Sequence, residues 1–434
     1  MSSLLAGAFQ SLTIRNFRLF AVGQLVSVAG TWMMVVAQDW LVLDLTGDSG
    51  TALGVVTALQ FAPLLLFTLY AGGLADRHDK RRLLIGANIA SGVLALLLGV
   101  LALTGEARLW HVYLFALGLG TVNAVETPAR MSFVTELVGP DLLPNASALS
   151  AAYFNCARVV GPALAGLLIS WFGTATVMLL NAVSYLATVV AVRRMRADEL
   201  HRPERRPRRA AVLDGVRHMV GRRDLLLPMI LVAVVGMLGF NFQLTLPLLA
   251  KTVFHTDAAA FGLLTTAFAA GSLLAAFTTT LRRGRPALGL VIAAAAGFGL
   301  LETLAGLAPT YPLAALLLLG TGFGSIYFAQ AANHRIQLGT DPAYRGRVMA
   351  LYTLVFQGTT PLGALLVGVL SERLGARSGL LVGAAASALA AVAVLLVHLR
   401  GGDRPALPST DATTGDATHD AVTTHTRHQR EEHP

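Results

Sequence analysis

Twelve apolar runs, each about as long as a bilayer is thick, decide what this chain can fold into. A helix rises about 1.5 Å per residue, so roughly 20 apolar residues cross the hydrocarbon core. The runs fall at about 18–43, 51–74, 83–104, 110–131, 146–170 and 173–193, then at 225–249, 259–281, 286–308, 312–334, 346–371 and 377–399. Hydrocarbon offers no partner for a bare backbone N–H or C=O, so such runs must be helical. The 434-residue chain is 55% hydrophobic and only 13% charged, against about 25% charged in a soluble domain. The expected fold is an all-α membrane protein of twelve transmembrane helices. The first run is long enough to span and lacks a small-residue cleavage site, so it reads as a helix and not as a leader.

A charged, Pro-broken stretch at 194–224 separates the runs into two sets of six. The expected organisation is a six-helix bundle at 1–193, a basic linker at 194–224, a second six-helix bundle at 225–400 and a disordered tail at 401–434. The two bundles are related by pseudo-symmetry in hydropathy, the pattern of parallel repeats in secondary transporters. Of the 33 basic residues, only Arg108, Lys251, Arg373 and Arg377 fall on one side if the N-terminus is placed inside. Basic loops stay cytoplasmic, so both termini are expected there, in the cell membrane. The linker is expected to be solvated and to touch anionic lipid heads, with 211–223 as a short amphipathic helix on the inner surface.

Several chemistries are disfavoured. The single cysteine, Cys156, permits no internal disulfide and is expected to fill space within its span. The tail histidines His419, His425, His428 and His433 do not have the spacing of a ligand set. No Gly-rich loop ending in Lys-Ser/Thr is present, which argues against direct drive by ATP. The net charge of +9 is explained by loop topology and not by nucleic acid. No cofactor and no metal are expected. The expected partners are a small-molecule substrate, protons and membrane lipid, with the protein acting as a monomer.

Charge in a bilayer core marks function by default, and four residues carry it: Asp39, Glu126, Arg158 and Glu302. Arg158 lies about 12 residues from either end of its span, too deep to snorkel, and needs a carboxylate, carbonyls or water. Glu126 in the preceding span is a candidate partner. Such a pair either fixes spans 4 and 5 together or faces a transport path and reorganises with proton or substrate. Asp39 is a candidate proton carrier, or an interfacial residue that simply reaches water. Glu302 has no polar stripe beside it and is expected to be interfacial or locally paired.

Polar residues also recur at helical spacing, and on a spanning helix they must face protein or water. Gln24, Ser27, Thr31 and Gln38 form such a stripe on span 1, flanked by Asp39. Asn123, Glu126 and Arg130 form one on span 4. Asn155 lies on span 5, Asn241 on span 7, and Gln330 and Asn333 on span 10. Spans 1, 4, 7 and 10 are therefore expected to line one aqueous path. Phe61, Phe154, Phe240, Phe242, Tyr327 and Phe328 would either make it greasy or sit against lipid and core.

The stretch Gly72-Gly73-Leu74-Ala75-Asp76-Arg77-His78-Asp79-Lys80-Arg81-Arg82 resembles the signature loop of the major facilitator superfamily. Asp79 stands where many members have Gly, a departure shared by the enterobactin-exporter-like and macrolide-efflux-like branch. The segments 126–138, 145–166 and 341–348 are similar to the same branch. The resemblance implies a cytoplasmic gate made of Gly72, Asp76, Arg77, Lys80, Arg81 and Arg130, with Asp76 at the N-terminus of span 11. It also implies that Gly161, Pro162 and Gly166 form the span 5 element associated with proton-driven export. A kink or tight packing is expected there. The function so implied is export of small amphiphilic molecules (drug, macrolide or siderophore) by alternating access, with no enzymatic step. Nutrient uptake by the same fold, or a non-transporting sensor or scaffold, are the alternatives.

Overall fold

The computed structural model describes residues 9–201, 212–282 and 284–400, with side chains described except at 68–77 and 212–215. Ten of its helices are long and apolar enough to cross a membrane. One of these, Leu109–Arg193, has 85 residues and would measure roughly 128 Å if straight. Its backbone leaves the helical region at Gly139 (φ 70°) and Gly173 (φ 80°). Positive φ suits glycine, which has no Cβ to clash, and each break reverses the chain. Divided there, the described residues make twelve spans. They are α1 Arg15–Thr46, α2 Gly50–Arg77, α3 Lys80–Leu103, α4 109–138, α5 140–172, α6 174–193, α7 Arg223–Val253, α8 Ala258–Thr280, α9 Leu288–Leu307, α10 Tyr311–Gly339, α11 Arg345–Leu374 and α12 Arg377–Arg400.

Two boundaries differ from the hydropathy reading. The stretch 132–145 was expected to be a connection, yet it is helical except at Gly139. Pro140 follows that break directly, in the first turn where a missing N–H costs nothing. Span 7 is also irregular, with π-helical turns at Val235–Gly239 and Leu249–Val253. In the linker, Val212–Val220 is helical, close to the expected amphipathic segment. The tail histidines and the expected disorder of 401–434 lie outside the described residues.

The exterior is apolar. Leu66, Phe277, Leu316, Leu389 and Leu399 are each more than half exposed, a surface that water does not favour and lipid does. Cys156 belongs to this exterior too, which corrects the expectation that it fills space inside the bundle. Helices α1–α6 pack on one another, as do α7–α12, and the two sets meet mainly where α2 lies against α11 and α5 against α8. Exchanging each helix with the one six places along the chain turns one of these seams into the other.

The two ends of the bundle differ. One end, called here the basic face, carries the start of α1, the α2–α3, α4–α5, α8–α9 and α10–α11 junctions and the linker. The following ties there lie within each half. Lys80 pairs with Glu136 of α4. Arg81 donates to the carbonyls of Val192 and Arg193 at the end of α6, at 3.0 and 2.8 Å. Those carbonyls are the negative pole of the helix, where a cation is stabilised. In the second half, Arg285 pairs with Asp224 at 2.8 Å, and His218 of the linker helix stacks on Tyr344 with centroids 4.3 Å apart. Lys80 and Glu136 are both largely buried. Lys80→Met should therefore lower stability by about 1–3 kcal/mol, because Glu136 is left without its counter-charge. Thermal unfolding in detergent checks this, and the double variant with Glu136→Gln should recover most of the loss.

Candidate functional site

The seams between the halves are built on glycine. A Cβ on Gly50 would meet the Gly368 carbonyl at 2.8 Å, and one on Gly54 would meet the Ala364 carbonyl at 2.6 Å. Across the other seam, a Cβ on Gly166 would meet the Ala258 carbonyl at 2.6 Å, and one on Gly262 would meet the Gly166 Cα at 3.1 Å and run into the Pro162 carbonyl. Gly161 fits against α1 instead, where a Cβ would lie 2.7 Å from that of Trp32. The span 5 element is thus a packing surface: Gly161 holds α5 to its own half, and Pro162 and Gly166 hold it to the other. Of the two outcomes expected there, the structure shows tight packing, with helical backbone kept at Pro162. Thr266 of α8 donates to the Val159 carbonyl at 3.0 Å, three residues before Pro162.

Polar ties between the halves gather at the end opposite the basic face. Lys251 of α7 reaches Asp44 at 2.5 Å and Asp48 at 2.9 Å, both beyond or near the end of α1. Its ammonium also lies 5.2 Å from the centre of the Trp40 ring, which stacks on Phe261 of α8. Asp48 holds φ 71°, an uncommon conformation for a non-glycine residue that neighbouring contacts must enforce. Glu372 of α11 accepts from the Ser49 hydroxyl and the Thr51 amide, each at 2.8 Å. It thereby caps the N-terminus of α2, where a carboxylate is favoured. The halves are closed together at this end.

Arg158 sits in the middle, between the halves. Its guanidinium lies 5.6 Å from the centre of the Trp32 ring on α1 and 6.0 Å from that of Phe268 on α8. Among the described residues no carboxylate lies within ion-pair distance of it. The expected Glu126–Arg158 pair is therefore corrected: Glu126 pairs with Arg130, one turn along α4, at 3.5 Å. The physical reason is helical geometry. An i,i+4 partner stands on the same face of the same helix, whereas Arg158 is aimed at the aromatic seam. Phe154 lies edge-on to Trp32 with centroids 6.0 Å apart, and Phe242 tilts against Phe268 at 4.2 Å. Phe240 meets Phe298, Phe328 and Phe356. One ring from each half thus lies against the cation, and further rings pack behind them.

The other polar residues sort into two groups. Gln24 donates to Thr188 at 3.4 Å and Thr31 lies 3.3 Å from the Tyr185 hydroxyl, so these two hold α1 to α6. Asn155 and Asn241 donate to carbonyls one turn back on their own helices. Asn123, Glu126, Arg130, Gln330 and Asn333 are half-buried. Gln38 and Asp39 are fully buried, and Gln38 Nε2 and Asp39 Oδ2 have no hydrogen-bond partner among the described residues. Asp39 is therefore not an interfacial residue reaching water. Neither is Glu302, which is 1% exposed with Oε2 unpartnered, against the expectation of an interfacial or paired side chain. Of the expected gate, Lys80, Arg81 and Arg130 are placed as above. The side chains of Gly72, Asp76 and Arg77, and any contact of Asp76 with α11, lie outside the described residues. The sequence reading missed the Trp32–Phe268 clamp and the Lys251 latch. A visible signal for the seam was Gly50-x-x-x-Gly54, the spacing that brings membrane helices close.

Over residues 6–427 the sequence matches the family described as transmembrane secretion effectors. It is 27% identical to the multidrug efflux pump Tap of Mycolicibacterium fortuitum, over 88% of this chain and 96% of that protein. It is 23% identical to macrolide efflux protein A of Streptococcus pyogenes, over 81% of this chain and 88% of that protein. It is 28% identical to the staphyloferrin A transporter of Staphylococcus aureus, over 57% of this chain and 62% of that transporter, less than two thirds of its length. In fold it is similar to a bacterial homolog of the human lysosomal transporter Spinster in an inward-facing, occupied conformation. The TM-score is 0.70 at 15% identity, over 89% of this chain and 97% of that one. The nucleoside transporter NupG gives 0.69 at 13% identity, over 88% and 99%.

Proposed function

The chain belongs to the transmembrane secretion effector family, as a secondary transporter of drug or siderophore type with the major facilitator fold, and we propose that it exports small amphiphilic molecules in exchange for protons. The observation that carries this reading is Arg158, a cation held by rings from both halves and without an ion-pair partner among the described residues. A cation that no described carboxylate neutralises is available to a ligand lying between the halves. Aromatic faces beside it accept the apolar body of such a ligand. The substrate is thus an amphiphile with an anionic or strongly hydrogen-bonding group.

In this reading the basic face is cytoplasmic, by the distribution of Lys and Arg, and the latched end is outside. The state described is then closed outward, with the half-buried polar residues of α4 and α10 approached from the cytoplasm. Asp39 and Glu126 carry protons inward as the halves rock about the site. The gate residues Gly72, Asp76, Arg77, Lys80, Arg81 and Arg130 close the cytoplasmic end in the opposite state. The protein works as a monomer within its lipid, needs no cofactor or nucleic acid, and performs no enzymatic reaction.

The test is transport into proteoliposomes under an imposed pH gradient, with a macrolide and staphyloferrin A as probes. Wild type should accumulate at least one probe in the sense opposite to the proton flow. Asp39→Asn and Glu126→Gln should each reduce gradient-driven accumulation several-fold while leaving probe binding in place. Unchanged accumulation in both variants would remove these residues from the coupling step.

A further inference from the structure

Glu302 is the only ionisable residue of α9, and it is sealed where three helices meet. α12 reaches it with Gly383, and α7 with its π-helical turn Val235–Gly239. The point where a Cβ on Gly383 would stand is 2.7 Å from Glu302 Oε1 and 2.7 Å from the Leu238 carbonyl oxygen. Only a glycine lets both oxygens approach that point. Leu238 lies inside the π turn, and such turns within helices often mark functional sites.

The shell around Glu302 carries no charge. α7 has no Asp, Glu, Lys, Arg or His between Asp224 and Lys251, α10 has none from 311 to 333, and α12 has none between Arg377 and His398. The only titratable groups on these stretches are the phenols of Tyr311 and Tyr327, which contact Ala260 and Arg282 respectively. Arg377, at the start of α12, is engaged one turn beyond Glu302. It donates to the carbonyls of Gly306 and Ala308 at 2.6 and 2.8 Å and lies over Phe254. An ionised carboxylate has nothing to balance it in such a pocket.

We propose that Glu302 is a proton-binding site of the second half. The carboxyl holds a proton while the π turn is closed over it, with the Leu238 carbonyl, which accepts from Asn241 Nδ2 at 3.1 Å, on the far side of Gly383. It releases the proton when α7, α9 and α12 separate enough for water to enter. A metal cation is a poorer fit, because it gathers several ligands and no group of three or more His, Cys, Asp or Glu side chains comes together among the described residues. The Ser387 hydroxyl is directed at the Gly383 carbonyl. Any role of this proton in transport rests on the proton-exchange reading above, but its presence does not.

Infrared difference spectroscopy on the full chain in lipid tests the site with wild type, Glu302→Gln and Glu302→Asp. The expected result is a protonated-carboxyl band at neutral pH in wild type, lost in Glu302→Gln, displaced but kept in Glu302→Asp, and fading as pH is raised. Sodium at fixed pH should leave it unchanged. Identical spectra for wild type and Glu302→Gln at every pH would overturn the proposal, as would a band that sodium removes at constant pH. Gradient-driven transport by wild type is measured separately. The band without such transport keeps the site and removes the exchange reading, and transport without the band does the reverse.

Discussion

Gly262→Leu should fold, insert and then fail to transport, because its latched end no longer closes. The glycine faces Pro162 and Gly166 of the other half, backbone against backbone. Backbone has no rotamer with which to make room, so a four-carbon side chain there holds α5 and α8 apart. Overpacking of this kind costs about 1–3 kcal/mol, which shifts a two-state equilibrium by roughly 5- to 150-fold. The strain lies between the halves and not within either, so it disfavours one conformation more than it disfavours folding. Spin labels across the α5–α8 seam should report a longer distance, and transport should drop to background while the unfolding temperature changes little. A matched loss of fold and transport would show that the seam is part of the folding core instead.

Arg158→Met should lose transport and gain stability. A charge-assisted hydrogen bond from the guanidinium to the substrate's anionic group contributes about 1.5–3 kcal/mol, so removing it should weaken substrate binding by roughly 10- to 150-fold. The same change removes a half-buried charge that no described carboxylate balances, a group that costs the folded state free energy. Methionine fills the space between Trp32 and Phe268 without that cost. Its thermal midpoint should therefore rise, the opposition between stability and activity expected at a working site. Arg158→Lys should lie between wild type and Arg158→Met, because an ammonium keeps the charge but not the planar face that stacks on rings. A fall in thermal midpoint for Arg158→Met would mark Arg158 as structural.

Much of the architecture was readable because hydrocarbon imposes a simple rule: apolar length sets the number of spans. That rule is silent about rotation and partners. Arg158 and Glu126 lie on consecutive spans and were paired on that ground, yet each helix turns its charge in its own direction. Glu126 found Arg130 on its own face, and Arg158 found two rings on helices far away in sequence. Cys156 and Gly161 show the same limit. They lie five residues apart on α5, and one faces outward while the other is pressed against Trp32. Glu302 lies near the end of its span with no polar stripe beside it, a position that points to an interfacial or locally paired side chain. Its isolation is instead spatial, created by glycines on α7 and α12 that no hydropathy pattern distinguishes.

The Lys251 latch stands at the rim of the bundle, with Asp44 about half exposed and Asp48 about a third. Charges so placed are weakened by dissolved ions, with a screening length of about 10 Å at 0.1 M and about 3 Å at 1 M. The glycine seams below them are neutral and feel no such screening. Brine and fresh water would therefore set different resting balances between the two orientations of the same protein, without touching its pocket.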